Sequence, residues 1–108
     1  MISYDDFKKV EIKIGKVLSA ERIPDSEKLI KLVFDLGTEQ REVIAGVAKS
    51  YPDPSVLIGK EMPVVVNLEP KTMMGQYTSY GMILAADADG RPVVLEPDEE
   101  VPPGSTVR

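Results

Sequence analysis

The chain has 108 residues, close to the usual length of one domain, and its 43% hydrophobic and 29% charged residues are ordinary for a folded globular protein. It contains no cysteine and no histidine, which excludes disulfides, thiolate chemistry, Ser-His or Cys-His catalysis and zinc sites of the usual kind. The net charge of −5 argues against a strongly basic nucleic-acid binder.

The acidic charge is concentrated near the C-terminus. Up to Ala86 the chain has 11 basic and 12 acidic residues, whereas Asp87–Arg108 has two basic and six acidic residues. The nearly neutral body therefore leaves room for a local basic face. No apolar run approaches the ~18 residues of a membrane span, and Met1–Asp6 lacks the pattern of a signal peptide. We expect a cytoplasmic protein with no membrane partner.

The N-terminal segment predicts a short helical turn followed by a long strand. Ser3 can cap the turn, and Phe7 is expected to face inward. Apolar and polar residues then alternate over Val10–Ile23, which is typical of a half-buried strand. Gly15 inside it predicts a bulge or sharp bend; the alternative is a glycine tolerated in a flat edge strand.

A hairpin comes next. In Leu29–Leu36 one face is apolar, with Ile30, Leu32 and Phe34 on it. Gly37–Gln40 is a short turn into a third strand, Arg41–Gly46, which should be the antiparallel neighbour of the second strand.

The rest of the body supplies two further strands. Val47–Lys60 breaks the alternation and is expected to plug one end of a small barrel. Met62–Leu68 is predicted as the fourth strand and Met82–Ala86 as the fifth, buried one. Five short strands with a plug between the third and fourth indicate an all-β protein with a five-stranded OB-fold barrel, a short N-terminal helical turn and a C-terminal β extension.

The stretch Glu69–Ala86 is the candidate binding rim. It is predicted as a polar loop between two buried strands, and it contains neither a nucleophile–base pair nor a metal-binding cluster. Its composition favours recognition over catalysis. We therefore expect no enzyme activity, no catalytic residue, no metal and no cofactor.

A single domain spanning residues 1–108 is predicted, with the barrel over about 8–87 and the extension over about 88–108. The extension contains a turn, a short strand at Pro92–Leu95 and a last extended piece at Ser105–Arg108.

Four segments together resemble the tRNA-binding domain of the OB fold. They are DDFKKVEIKIGKVLSAERIPDSEKLIKLVFDLG, REVIAGVA, GKEMPVVVNLEPKTMMG and SYGMILAA. This domain occurs as the C-terminal or β-subunit module of methionyl-tRNA synthetases, as free-standing dimeric tRNA-binding proteins, and at the N-terminus of bacterial phenylalanyl-tRNA synthetase β chains. The resemblance covers nearly the whole chain. It implies tRNA as a partner, a role in protein biosynthesis and an aminoacyl-tRNA synthetase as a further partner.

The tail PVVLEPDEEVPPGSTVR resembles an extension that builds a homodimer in the methionyl synthetase and free-standing versions. A solvated acidic tail that only closes the barrel end is the alternative. The resemblance also implies that Ser79, Gly81 and Met82 contact tRNA, with Lys71 at the start of the loop. Relatives often carry more basic residues in this loop, so Lys71 alone predicts fewer phosphate contacts.

OB folds bind ligands on the face of their second and third strands. The basic residues on these strands or at their start are therefore candidate RNA contacts: Lys28, Lys31 and Arg41. Any one of them could instead be a solvated surface charge. The predicted RNA-binding residues are Lys28, Lys31, Arg41, Lys71, Gln76, Ser79 and Met82.

The leading interpretation is a non-catalytic module that recognises tRNA shape and backbone and assists methionyl-tRNA synthetase. The alternatives are a secretion chaperone or peptide-binding protein of the CsaA type and an adaptor that docks onto a synthetase.

Overall fold

The computed structural model describes all 108 residues and has an all-β architecture. A curled antiparallel sheet with the order β3-β2-β1-β4-β7 forms an OB-like half-barrel, and β10 adds to β1. The elements are α1 (Tyr4–Lys8), β1 (Ile12–Arg22), β2 (Ile30–Asp35), β3 (Gln40–Ala45), a 3-10 helix (Pro54–Leu57), β4 (Glu61–Val65), β5 (Lys71–Met73), β6 (Tyr77–Ser79), β7 (Met82–Ile83), β8 (Ala85–Ala88), β9 (Arg91–Val94) and β10 (Thr106–Val107). The predicted fold class is confirmed.

The N-terminal turn forms as expected, with one correction. The Ser3 hydroxyl accepts a hydrogen bond from Asp6 N, and the Asp6 carboxylate accepts one from Ser3 N, which completes a capping box. The prediction that Phe7 faces inward is wrong, because the ring is 40% exposed. It lines an open groove with Tyr4 and Val107 instead.

Strand β1 is the centre of the sheet, since it pairs with β2, β4 and β10. Its bulge lies between Val17 and Ser19 and not at Gly15. Gly15 serves close packing instead: an added Cβ would lie 2.8 Å from Cδ1 of Phe34. The glycine therefore makes space for a buried ring.

The predicted hairpin is confirmed, and it supplies a large part of the core. β2 and β3 pair antiparallel from Ile30↔Ala45 to Asp35↔Gln40. Ile30, Leu32 and Phe34 are fully buried on the expected face. Leu57 of the 3-10 helix is also fully buried in the same cluster, so the segment before β4 packs against the barrel interior as expected.

The predicted fifth strand is divided in two. β7 pairs with β4 through Val64↔Ile83 and Val65↔Met82. After Leu84 the chain leaves the barrel, and β8 pairs with β9 instead. The expectation of a buried strand is wrong, because Met82, Ala85 and Ala86 are exposed and Ile83 and Leu84 are only half-buried.

The C-terminal segment returns to the barrel. Ile14 N donates to Ser105 O at 2.8 Å, and Gly104 N donates to Ile14 O at 2.7 Å. Val101 N also donates to the buried carboxylate of Glu61 at 2.8 Å. The extension is thus held to β1 and β4 by hydrogen bonds. No helix in the structure is long and apolar enough to cross a membrane.

Candidate nucleic-acid interface

The predicted loop between the fourth and fifth barrel strands is a small hairpin. β5 and β6 pair from Lys71↔Ser79 to Met73↔Tyr77. The chain reverses at Met74 and Gly75, which have φ angles of +54° and +70°. Only the second of these is free of strain, because glycine has no Cβ to clash in the left-handed region. Gln76 follows, exposed at the hairpin tip.

Ser79 ties this hairpin to the barrel. Its hydroxyl accepts a hydrogen bond from Ile44 N at 2.9 Å and donates one to Gly81 O at 2.8 Å. Tyr80 N adds a bond of 2.9 Å to Glu42 O. Since Ser79 is only 3% exposed and its hydroxyl already donates one hydrogen bond and accepts another, the geometry gives it a positioning role.

Arg41 links three parts of the chain. Its guanidinium donates to the carbonyl oxygens of Val66 and Tyr80 and forms an ion pair of 2.7 Å with Glu39. Most of the side chain is covered. Arg41 therefore holds the end of β4 beside the residues that follow the hairpin.

Lys31 also has its charge balanced within the chain. Its Nζ lies 3.3 Å from Glu42 and 3.4 Å from Glu21. Hydrogen bonding and charge from Glu42, and then from Glu21, raise the pKa of Lys31 above its ordinary value. A phosphate would have to compete with these two carboxylates.

Lys28 and Lys71 are exposed and form no ion pair. They lie apart, because Lys28 is in the turn before β2, whereas Lys71 opens the hairpin. Met82 is 48% exposed at the start of β7. The structure thus brings Lys71, Ser79 and Met82 to one cavity of about 460 Å³ and leaves Lys28 outside it.

Four further residues of this cavity were not among the predicted binding residues: Ile44, Leu68, Glu69 and Met73. Leu68 was placed in the fourth strand, but it lies beyond β4 and is 48% exposed. Its neighbour in sequence, Asn67, lies near the end of the predicted fourth strand. The Asn67 amide binds Glu11 N and Lys9 O, which fits the structural role that its position at a strand end indicates.

The chain resembles known proteins over almost its whole length. Residues 12–106 match the family model described as "Putative tRNA binding domain". The chain is 50% identical over 106 residues to a methionine–tRNA ligase of Archaeoglobus fulgidus, covering 98% of this chain and 16% of that protein. The chain therefore spans about a sixth of the length of such curated relatives.

Two solved structures superpose over the whole chain. A MetRS related protein from Pyrococcus horikoshii has a TM-score of 0.93 at 40% identity, covering 100% of this chain and 98% of that one. The chaperone CsaA from Bacillus anthracis has a TM-score of 0.88 at 32% identity, covering 100% and 99%. Since the family model spans most of the chain and the matches are close, the chain belongs to the tRNA-binding domain family.

Proposed function

We propose that this chain is a non-catalytic module that binds tRNA by shape and backbone and assists methionyl-tRNA synthetase in aminoacylation, as a β subunit or as a domain of the enzyme. The observation that carries the proposal is the family match over residues 12–106, which includes the whole barrel and the β5–β6 hairpin. The identity to methionine–tRNA ligases supports the choice of synthetase. We place this activity in the cytoplasm, where aminoacylation takes place.

The exposed predicted residues would make the direct contacts. Lys28 and Lys71 meet phosphates, Gln76 reaches RNA from the hairpin tip, and Met82 lies against sugar or base. Lys31 and Arg41 contribute only where a phosphate displaces Glu42 or Glu39, and Ser79 acts by holding the hairpin. Because so few of these basic side chains are free of ion pairs, we expect modest affinity for tRNA and a shallow dependence of that affinity on salt.

A homodimer would compensate for this small number of contacts. In the proposed assembly the extension over residues 88–108 joins two chains, so that two modest sites form one continuous surface.

The proposal is tested by filter binding of the full chain to folded tRNA, unstructured RNA and single-stranded DNA, with the oligomeric state measured in the same buffer. Folded tRNA should bind best. Lys71→Glu should weaken tRNA binding and reduce the salt slope by about one phosphate contact. Lys13→Glu makes the same charge change on β1, away from the hairpin, and should leave both unchanged. Wild-type affinity and slope in Lys71→Glu would remove Lys71 from the site.

A second candidate function is peptide binding of the CsaA type, which the TM-score of 0.88 to a CsaA chaperone favours. Tight binding in a peptide-array scan, with no binding of tRNA, would reverse the ranking. A third role is docking onto a synthetase, with RNA incidental; co-purification with the enzyme that survives nuclease treatment would support it.

A further inference from the structure

We infer that the cavity between the β5–β6 hairpin and β7 takes up one unpaired nucleobase of the bound RNA, an inference that rests on the proposed function. The cavity, called the base pocket below, is formed by Ile44, Leu68, Lys71, Met73, Ser79 and Met82, and Glu69 and Gly81 complete its lining. Its volume of about 460 Å³ is within the range of small-ligand pockets, which runs from roughly 300 to 1,000 Å³.

Hydrogen bonds and close packing against the barrel hold the walls of the base pocket in place. The bonds of Ser79 to Ile44 N and Gly81 O fix one side of the hairpin to β3. Gly81 is packed so closely that an added Cβ would lie 3.0 Å from Val65 O. The pocket therefore exists before any ligand arrives, which lowers the cost of binding.

The apolar side chains of the walls suit the flat face of an aromatic ring. Leu68 and Met82 are each 48% exposed and face solvent across the pocket, and Ile44 and Met73 extend the apolar surface. Methionine sulfur makes favourable contacts with aromatic rings, often at the ring edge. The Ser79 hydroxyl already donates its proton to Gly81 O and is buried, so it offers the base no donor, and we expect the pocket to hold a base mainly by its faces.

The charges on the rim fit a nucleotide. Lys71 has no ion pair, whereas Lys31 and Arg41 next to the same hairpin are neutralised by carboxylates. Lys71 can therefore meet the phosphate attached to the inserted base. Glu69 is also on the rim, so the local charge is balanced and apolar contact must supply most of the affinity. Bases with exposed faces occur in the single-stranded loops and ends of RNA, which makes an unpaired tRNA nucleotide the ligand.

The five methionines of the chain provide the test. In the full-length protein labelled at the methionine methyl groups, we would record NMR spectra during titration with a single-stranded RNA hexanucleotide. A counterpart with abasic ribose at every position is the control ligand. Ring currents from an inserted base should shift the methyl signals of Met73 and Met82. The signals of Met1, which is exposed at the N-terminus, and of Met62, which is fully buried in the core, should stay in place.

The affinity measurement uses a matched pair of variants. Met82→Ala should weaken hexanucleotide binding about fivefold to tenfold, at the lower end of the loss at base-stacking positions. It should leave the salt slope unchanged, because no phosphate contact is removed. Leu18→Ala, which shortens an apolar side chain of similar exposure (42%) on β1, should bind as the wild type does. Met82→Leu keeps the apolar wall and should restore binding, which separates loss of the pocket from loss of folding.

The outcomes test the base pocket and the proposed tRNA-binding function separately. If tRNA binds but neither RNA shifts Met73 or Met82, or the abasic RNA shifts them equally, the base pocket is wrong and tRNA binding stands. Shifts with the hexanucleotide but no tRNA binding would support the pocket and overturn the proposed function. If RNA has no effect and an apolar peptide shifts these two methyl signals, the pocket belongs to a peptide instead.

Discussion

At the scale of single residues, the basic side chains near the β5–β6 hairpin differ in whether they already have partners within the folded chain. Lys31 lies directly opposite Glu21 across β1 and β2 and also reaches Glu42, while Arg41 binds backbone carbonyls. Lys71 has no such partner. A charge already paired in the folded chain offers little to a phosphate, because binding must first break that pair. This difference ranks Lys71 above the other two as a phosphate contact.

Asp53 gives the clearest pH-dependent prediction. Its carboxylate caps the 3-10 helix by accepting bonds from Ser55 Oγ at 2.7 Å and Ser55 N at 3.1 Å. The bond from the Ser55 side chain, and then that from its backbone, lower the pKa of Asp53. The stabilisation is therefore complete above the unfolded pKa of about 3.9 and is lost as the pH falls through the lower folded value.

Asp53→Asn keeps an oxygen acceptor at the cap but cannot titrate. Between about pH 5 and pH 2, its Tm measured by circular dichroism should fall less than that of the wild type. Asp98→Asn removes the same charge from an exposed residue of the extension and serves as the control. If the Tm curves of Asp53→Asn and the wild type run parallel throughout this range, the cap does not contribute to acid unfolding.

At the scale of elements, the close approach of β1 to the core predicts a large effect at Gly15. An added methyl group would lie 2.8 Å from Cδ1 of Phe34 and 3.1 Å from Cδ2 of Leu36, and both side chains are buried. Gly15→Ala should therefore lower the free energy of unfolding by about 1–3 kcal/mol through overpacking. Gly46→Ala is the matched control, because no atom lies within 4 Å of its added Cβ. Urea unfolding measures both, and equal changes in the two variants would show that packing at Gly15 is not tight.

The elements also show what the sequence can and cannot predict. Period-2 alternation reports one buried face, and in β2 it identified Ile30, Leu32 and Phe34 correctly. The β5–β6 hairpin has strands of three residues each, too short for a pattern, and Ser79 holds it through a contact 35 residues away in sequence. Such long-range contacts leave no local signal.

The same distinction between local sequence patterns and long-range contacts applies to the candidate site. The family motif predicted residues that the structure brings together, since Lys71, Ser79 and Met82 line one cavity. It did not reveal that Ser79 is buried, because the partner that covers it comes from β3. Likewise, the carboxylates that neutralise Lys31 become its neighbours only through strand register: Glu42 by the pairing of β2 with β3, and Glu21 by the pairing of β1 with β2, which the bulge beside Leu18 shifts by one residue.

At the scale of the whole molecule, the extension creates an apolar groove outside the barrel core. The groove has a volume of about 490 Å³ and is lined by Ile14, Pro63, Leu95 and Val101, among others. Leu95 is 43% exposed there, next to the last residues of β9. An apolar groove built by the extension itself is a suitable place for the proposed contact between two chains, since burial of such surface drives association.

Leu95→Glu tests the proposed homodimer. Light scattering after gel filtration should give twice the chain mass for the wild type and the chain mass for the variant, because a charge would be buried without a partner. The variant should keep its cooperative unfolding, since Leu95 lies outside the barrel core. Its tRNA affinity should fall about 10²-fold, at the lower end of the gain from linking two sites. Leu18→Glu, at a residue of similar exposure (42%) on β1, should remain dimeric and bind tRNA normally. A monomeric wild type at high concentration would mean that the affinity must come from a single chain, whereas a dimeric Leu95→Glu would show that the groove at Leu95 is not the interface.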